Sequence, residues 1–198
     1  MNFNEYMPLA LRTAKPLATP RQNLRHCLIG MITELGEVCS EIKRIVIYEK
    51  PMSDSMRDHM IEELGDFQWY VPVGMLACGI TGTPVLDAHS DLGSTLSENM
   101  GSLDEVPLVG ALLCGSISTI LLEMEGDLAP GSADGEFARQ IFAGAVTFVD
   151  AVAVMLGTTG DMTRAENIDK LKARFPDAYS NEAAEARADK GGLPHTLS

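Results

Sequence analysis

Long stretches of this 198-residue sequence place apolar residues three and four positions apart, and few stretches alternate apolar with polar residues. Apolar residues at this spacing share one face of an α-helix. The pattern predicts helices over residues 2–14, 20–48, 53–78, 107–125, 136–156 and 164–174, with residues 81–106 as a loop and 128–135 as a turn. Because long helices with short connections favour antiparallel neighbours, the sequence predicts an all-α antiparallel helical bundle.

Capping and breaking residues place several of the helix ends. Ser53 and Thr163 are predicted N-caps of the third helix and of the last helix. Gly79 and Gly157 follow two apolar helices and are expected to end them. Pro72 lies inside the third predicted helix and is expected to bend it or to shift its register.

Composition argues against several classes of partner. The formal net charge is −13 and the isoelectric point is about 4.6, which disfavours binding to nucleic-acid backbone or to an anionic membrane. The four cysteines form no C-x-x-C pair, so we expect reduced, buried thiols in a cytoplasmic protein. The first residues lack a signal-peptide pattern, and the most apolar stretches, 71–80 and 141–156, look too short or too interrupted to span a membrane.

Two segments carry closely spaced carboxylates among apolar residues. TELGEVCSEIKR (33–44) places Glu34 and Glu37 on one helix face, and IEELGDFQWY (61–70) does the same with Glu63 and Asp66. Antiparallel packing can bring the two pairs together, and four facing carboxylates are strongly unfavourable without a cation. Oxygen ligands of this kind favour Mg²⁺, with Mn²⁺ as a substitute.

Two other interpretations of these acids stay open. One is a solvated acidic face that binds nothing. The other is a di-iron bundle, which wants Glu-x-x-His on two helices. Here His59 precedes Glu62, which is the reverse order, so the sequence favours the magnesium site.

An E-x-x-E pair, a gap of about 25 residues and an E-x-x-D pair resemble the MazG-like all-α nucleoside triphosphate pyrophosphohydrolases, which are related to dimeric dUTPases. HCLIGMITELGEVCSEIKR, IYEKP and IEELGDFQWY are similar to the small phage and bacterial members. So is NIDKLKARFPDAYSNEAAEARAD near the C-terminus. The resemblance covers roughly residues 20–80 and 166–189, and it implies the all-α pyrophosphatase type of bundle.

The resemblance implies hydrolysis of a nucleoside triphosphate, ribo or deoxy, between its α- and β-phosphates. Mg²⁺ would be held by the four acids, Glu34, Glu37, Glu63 and Asp66. Glu41, one turn beyond Glu37, is expected as an extra ligand or, with Glu34, as the group that orients the attacking water. A homo-oligomer, dimer or tetramer, in the cytoplasm of a bacterium or of a phage-infected host is also implied.

Substrate contacts are expected from cations and aromatic residues. Asn167, Lys170 and Arg174 share a helix face, and an arginine can bind phosphate through two hydrogen bonds. The expected contacts are Lys43, Asn167, Lys170, Arg174, Trp69 and Tyr179. The alternatives are a solvated basic helix for Lys170 and Arg174 and core packing for Trp69, while His26 is expected to pack between helices and not to bind a ligand. A purine triphosphate such as dGTP is the favoured substrate, and a catalytically inactive nucleotide-binding or assembly module is the alternative function.

The middle of the chain departs from the family pattern. We expect one domain over residues 1–179 with a helix pair inserted at 84–160, followed by a tail at 180–198. LVGALLCGSIS in the insertion is weakly similar to LIGMITELGEV in the first half, which suggests a degenerate duplication of a helix pair. In such a second copy Cys114, Ile117, Ile141 and Gly144 stand where the acids stand in the first, so the insertion is expected to serve as an internal packing partner.

Overall fold

The computed structural model describes residues 1–84, 91–123 and 133–186, and within them every element is a helix. The all-α prediction is therefore confirmed for this part of the chain. The helices are α1 (Phe3–Leu11), α2 (Pro20–Val46), α3 (Asp54–Ala77), α4 (Asp91–Glu98), α5 (Val106–Glu123), α6 (Ala133–Met155), α7 (Gly160–Arg174) and α8 (Asn181–Ala186).

Side-chain caps begin several of these helices, among them α1, α2, α3 and α7. Thr19 accepts from the backbone N–H of Gln22 at the start of α2, and Ser53 caps α3 in the same way, as predicted. The predicted cap of the last helix is wrong, because Thr159 caps α7 and the helix begins four residues earlier than expected. Thr163 is buried inside α7, where its hydroxyl donates to the Thr159 carbonyl at 3.2 Å.

The prediction of a loop over residues 81–106 is also wrong in part, since α4 lies inside it. The buried Leu96 anchors this short helix, and α4 packs against α6. Residues 85–90 lie outside the described residues, as do most of the predicted turn at 128–135 and the end of the predicted tail at 187–198.

Glycines with positive φ end α3 and α6, as the sequence predicts. Gly79 has φ of 66° and Gly157 has φ of 76°, values that favour glycine. After Gly79, the N–H of Ile80 donates back to the Met75 carbonyl at 2.9 Å, and Thr158 makes the matching bond after Gly157. α3 itself continues through Pro72.

The core is a ring of four helices. α2 contacts α3 and α5, while α6 contacts α3 and α5. Two glycines let neighbours approach closely, because a methyl group on Gly110 would lie 2.5 Å from Leu35, and one on Gly74 would lie 2.4 Å from Phe142. The inserted helices thus pack on the acid-bearing pair within one chain, while duplication itself stays a prediction.

The two inserted helices form longer uninterrupted apolar segments than the stretches 71–80 and 141–156 that the sequence singles out. The segments Val106–Glu123 and Gly135–Met155 could cross a membrane by length and composition. However, 44% of the first segment and 56% of the second is buried inside the protein. Since the core helix of a bundle passes the same test, the two helices are weak evidence for a membrane protein.

A buried arginine fixes α7 to α6 and to the N-terminus of the chain. The guanidinium of Arg164 donates to Asp150 of α6 at 2.9 Å, to Asp161 at 2.6 Å and to the Met1 carbonyl at 3.0 Å. α7 also packs against α1. These contacts set the position of the lysine and arginine further along α7.

Candidate functional site

A cavity of about 420 Å³ lies among α2, α3 and α7, within the range typical of small-molecule sites. Eight residues predicted for the site line it: Glu34, Glu37, Glu63, Asp66, Trp69, Lys170, Arg174 and Tyr179. Three predicted residues, Glu41, Lys43 and Asn167, are not among the described residues that line it.

The carboxylates of Glu34, Glu63 and Asp66 form a cluster in this cavity. α2 and α3 run antiparallel, so Glu34 on one helix faces the other two acids, and one oxygen from each of the three lies within 4.8 Å of the others. Burial raises the pKa of Glu34 to about 7, aided by a hydrogen bond with Glu63 and the charge of Asp66. Burial and Asp66 also raise the pKa of Glu63.

This cluster fits a hard divalent cation. A raised carboxyl pKa means that the charged form lacks compensation, so Glu34 holds a proton up to about pH 7. A cation with oxygen preference can replace that proton and satisfy the same oxygens. Glu37 adds a further carboxylate beside the cluster, where Glu37, His59 and Glu63 also have ligand atoms within 4.8 Å of one another.

His59 is a site neighbour that the sequence analysis set aside. Its Nε2 lies 3.1 Å from Glu63 and 3.8 Å from Glu37, and its Nδ1 lies 3.4 Å from Glu41. The four-residue spacing of His59 and Glu63 was a usable signal, because such residues are neighbours on a helix.

Glu41 is buried but is held away from the cavity. Arg44 donates two hydrogen bonds to its carboxylate, at 2.8 and 3.1 Å. Its remaining link to the site is therefore through His59. Lys43 is exposed on α2, and nothing in the described residues brings it to the cavity.

Asp66 is held by two residues of α7. Asn167 donates to one carboxylate oxygen at 2.8 Å, and the Lys170 ammonium lies 2.5 Å from the other. Lys170 also reaches Glu62 at 2.7 Å. Burial lowers the pKa of Lys170, but the two carboxylates outweigh burial and raise it, so the ammonium stays charged.

Asn167 donates a hydrogen bond to Asp66. It is not among the residues that line the cavity, although a substrate contact was predicted for it. The buried Tyr6 of α1 donates its hydroxyl proton to the Asn167 side-chain oxygen at 2.9 Å. Tyr6 thereby fixes the amide with its N–H group toward Asp66. The sequence carried no signal for this contact, since the two residues are 161 positions apart.

The described part of the predicted tail closes one side of the cavity. Arg174 donates to the Ala184 carbonyl of α8 at 3.1 Å and lies over the Phe175 ring. Ala184 and Tyr179 both line the cavity, and the Tyr179 hydroxyl bonds to Asn181 at 2.9 Å. Up to residue 186 this segment is therefore packed against the site.

Aromatic residues form the other end of the cavity. The rings of His26, Trp69 and Tyr70 contact one another edge to face, with centroids 4.8 to 5.9 Å apart. Thr13 and Lys15 line the same cavity. Burial, Glu34 and Asp66 raise the pKa of Tyr70 to about 12, so its hydroxyl stays protonated. The sequence analysis expected Trp69 here and assigned His26 to helix packing.

Comparisons of this chain with protein-family models, with characterised proteins and with solved structures find no match.

Proposed function

We propose that this chain hydrolyses a nucleoside triphosphate, ribo or deoxy, to the monophosphate and pyrophosphate with Mg²⁺. One observation carries the proposal. Carboxylates from α2 and α3 and cationic side chains from α7 line the same cavity, although α3 and α7 are far apart in sequence. A site for a magnesium-bound triphosphate needs both kinds of group next to each other.

The metal would be held by Glu34, Glu37, Glu63 and Asp66, with Mn²⁺ as a possible substitute. This assignment is supported by the clustered oxygens and by the raised pKa of two of the acids. When bound, Mg²⁺ neutralises phosphate charge and lowers the pKa of bound water.

The cations of α7 would bind and orient the phosphates. Lys170 now neutralises Asp66 and Glu62, and a cation on Asp66 would release its ammonium for a phosphate oxygen. Arg174 can bind phosphate through two parallel hydrogen bonds. Its anchorage to α8 would hold it at the cavity wall.

Glu34 and Glu41 are the proposed groups that orient the attacking water and accept its proton. Glu34 lies in the cavity with a carboxylate oxygen within 4.8 Å of oxygens of Glu63 and Asp66, where it would orient a water bound to the metal. Glu41 would act through His59, which lies between it and Glu63.

The resemblance to the MazG-like enzymes supports cleavage between the α- and β-phosphates. A homo-oligomer in the cytoplasm is part of the same proposal. Exposed apolar side chains support self-association, because they leave apolar surface in contact with water. They include Ile29 and Ile32 on α2 and Leu108 and Leu112 on α5.

The test is pyrophosphate release from each nucleoside triphosphate with Mg²⁺ and with EDTA. We expect release only with Mg²⁺, and Asp66→Asn is expected to abolish it. Asp54→Asn is the matched control, because Asp54 is 94% exposed on the same helix and should leave the rate unchanged. Nucleotide binding without release would favour the alternative, a catalytically inactive binding module. Full activity of Asp66→Asn would refute the site.

A further inference from the structure

We propose that the aromatic end of the cavity, formed by Thr13, Lys15, His26, Trp69 and Tyr70, binds the base of the nucleotide and selects a 6-oxopurine, guanine or hypoxanthine. The inference rests on the proposed function of the same cavity and adds the identity of the base.

The aromatic end and the acid cluster are separated along both helices. His26 precedes Glu34 by eight residues on α2, so the two lie about 12 Å apart along the helix axis. Trp69 follows Asp66 on α3, and because α3 runs the opposite way, it lies toward the His26 end. One extended nucleotide can therefore place its phosphates at the acids and its base at the aromatic rings.

Trp69 offers a ring surface and no hydrogen bond to a ligand. Its indole N–H donates to the Thr13 hydroxyl at 2.9 Å and to the Ala10 carbonyl at 3.2 Å. The Thr13 hydroxyl in turn donates to the same carbonyl at 2.8 Å. Stacking on an aromatic ring accepts every base, so selection has to come from other groups.

Two of those other groups are hydrogen-bond donors. His26 makes no hydrogen bond to any residue that the structure describes, and its Nδ1 is shielded from solvent. A buried N–H without a partner is rarer than a buried acceptor without one, so the shielded Nδ1 is favoured as the nitrogen without the proton. The proton then lies on Nε2, which is not shielded and can donate to a ligand. Burial and the charge of Lys15 lower the pKa of His26, which keeps the imidazole neutral. Lys15 itself can only donate.

Two donors favour a base with two neighbouring acceptors. Guanine presents O6 and N7 side by side, and hypoxanthine has the same pair. Adenine carries an amino donor in place of O6, cytosine carries an amino donor at N4, and thymine offers only O4 on the corresponding edge. Among bases that present this edge to the two donors, a 6-oxopurine is the one that satisfies both His26 and Lys15.

The single tryptophan allows a test that does not depend on hydrolysis. Trp69 is the only tryptophan in the sequence, so quenching of intrinsic fluorescence reports occupation of the aromatic end. The probes are dIMP and dAMP, whose bases differ in the group at C6. We expect dIMP, and dGMP like it, to bind about tenfold more tightly than dAMP, or better.

Variants assign that preference to residues. Lys15→Met and His26→Phe are each expected to bring the ratio of dIMP to dAMP affinity close to one. Phenylalanine keeps a ring against Trp69 and Tyr70 while removing the donor. Arg25→Met is the control, because Arg25 is an exposed cation next to His26 that does not line the cavity, and it should keep the ratio. Far-UV circular dichroism verifies that His26→Phe is folded.

Equal affinity for dIMP and dAMP, a ratio unchanged in both variants, or quenching by neither nucleotide would overturn the inference. The outcome for the proposed function is separate. Selective binding of dIMP without any pyrophosphate release from dITP would refute the hydrolase and leave the base site standing. Equal pyrophosphate release from dITP and dATP would refute the base site and leave the hydrolase standing.

Discussion

Asp66 lies where three helices meet, and both of its carboxylate oxygens are already engaged. Asn167 holds one oxygen and Lys170 the other, while Tyr6 of α1 holds Asn167. A carboxylate fixed in this way keeps its orientation when a cation binds, because its supporting groups are fixed as well. In the proposed site, Tyr6 would therefore position Asp66 without contacting metal or substrate.

Removal of the Tyr6 hydroxyl is expected to weaken the metal site without emptying the core. Tyr6→Phe leaves the Asn167 oxygen buried without its donor, so Mg²⁺ affinity should fall roughly 10- to 100-fold. The free energy of unfolding should fall by about 1 kcal/mol or somewhat more. Isothermal titration with Mg²⁺ and urea unfolding measure the two effects. Tyr48→Phe, at an exposed tyrosine, should change neither. Unchanged Mg²⁺ affinity in Tyr6→Phe would contradict this role.

The raised pKa of Glu34 predicts a link between pH and metal binding. The folded state holds this proton up to about pH 7, whereas the ordinary glutamate pKa is 4.5. Between these values the metal-free native state binds more protons than the unfolded state, so its stability falls as pH rises. Mg²⁺ should therefore raise Tm more at about pH 8 than at about pH 5.5. Glu34→Gln should reduce that difference, and an equal Mg²⁺ effect at both pH values in wild type would argue against the cluster.

Residue spacing predicted the acid cluster but not its supports. Glu34, Glu37, Glu63 and Asp66 could be found because three-residue spacing defines a helix face whatever the tertiary structure. The contact from Tyr6 depends on how α1 docks on α7, which no local pattern encodes. His59 falls between these cases, since its four-residue spacing from Glu63 was present in the sequence.

At the scale of helices, close approach depends on glycines that face side chains of a neighbour. The ring of Tyr70 packs against Gly30 of α2. Gly74 of α3 lies against Phe142 of α6 and Cys27 of α2. The first contact helps to shape the aromatic end of the cavity. The second joins the acid-bearing helix pair to the inserted helix α6.

A methyl group at Gly74 is expected to strain this junction. Gly74→Ala would place its Cβ 2.4 Å from the Phe142 ring and 2.6 Å from the Cys27 sulfur. Overpacking of this kind costs roughly 1–3 kcal/mol. Gly36→Ala on α2 meets nothing within 4 Å and should stabilise the protein by about 0.5–1 kcal/mol. Chemical denaturation of both variants decides the point, and equal shifts in the same direction would contradict the packing described.

Helix boundaries show where local signals compete. Thr159 and Thr163 are both good capping residues, and the sequence alone favoured the later one. In the fold, Thr163 is buried against the bundle, and the helix extends back to Thr159. α4 was missed because a short helix with one buried leucine has too few apolar residues to show a period.

At the scale of the whole molecule, one chain supplies the partner helices that the acid-bearing pair needs. α5 packs on α2 and α6 on α3, so one apolar face of each inserted helix is covered within the described part of the chain. The positions aligned with the acids, among them Cys114, Ile117 and Ile141, are buried and apolar. The acid cluster therefore lies on one side of the four-helix core. The sequence predicted this internal partnership from apolar composition, but not which inserted helix meets which neighbour.

Identification of the products by ³¹P NMR, after incubation of dGTP with the protein and Mg²⁺, tests the proposed hydrolysis directly. We expect dGMP and pyrophosphate as the only products, with no reaction in EDTA or with Asp66→Asn. Formation of dGDP and inorganic phosphate, or a reaction that proceeds equally well in EDTA, would contradict it.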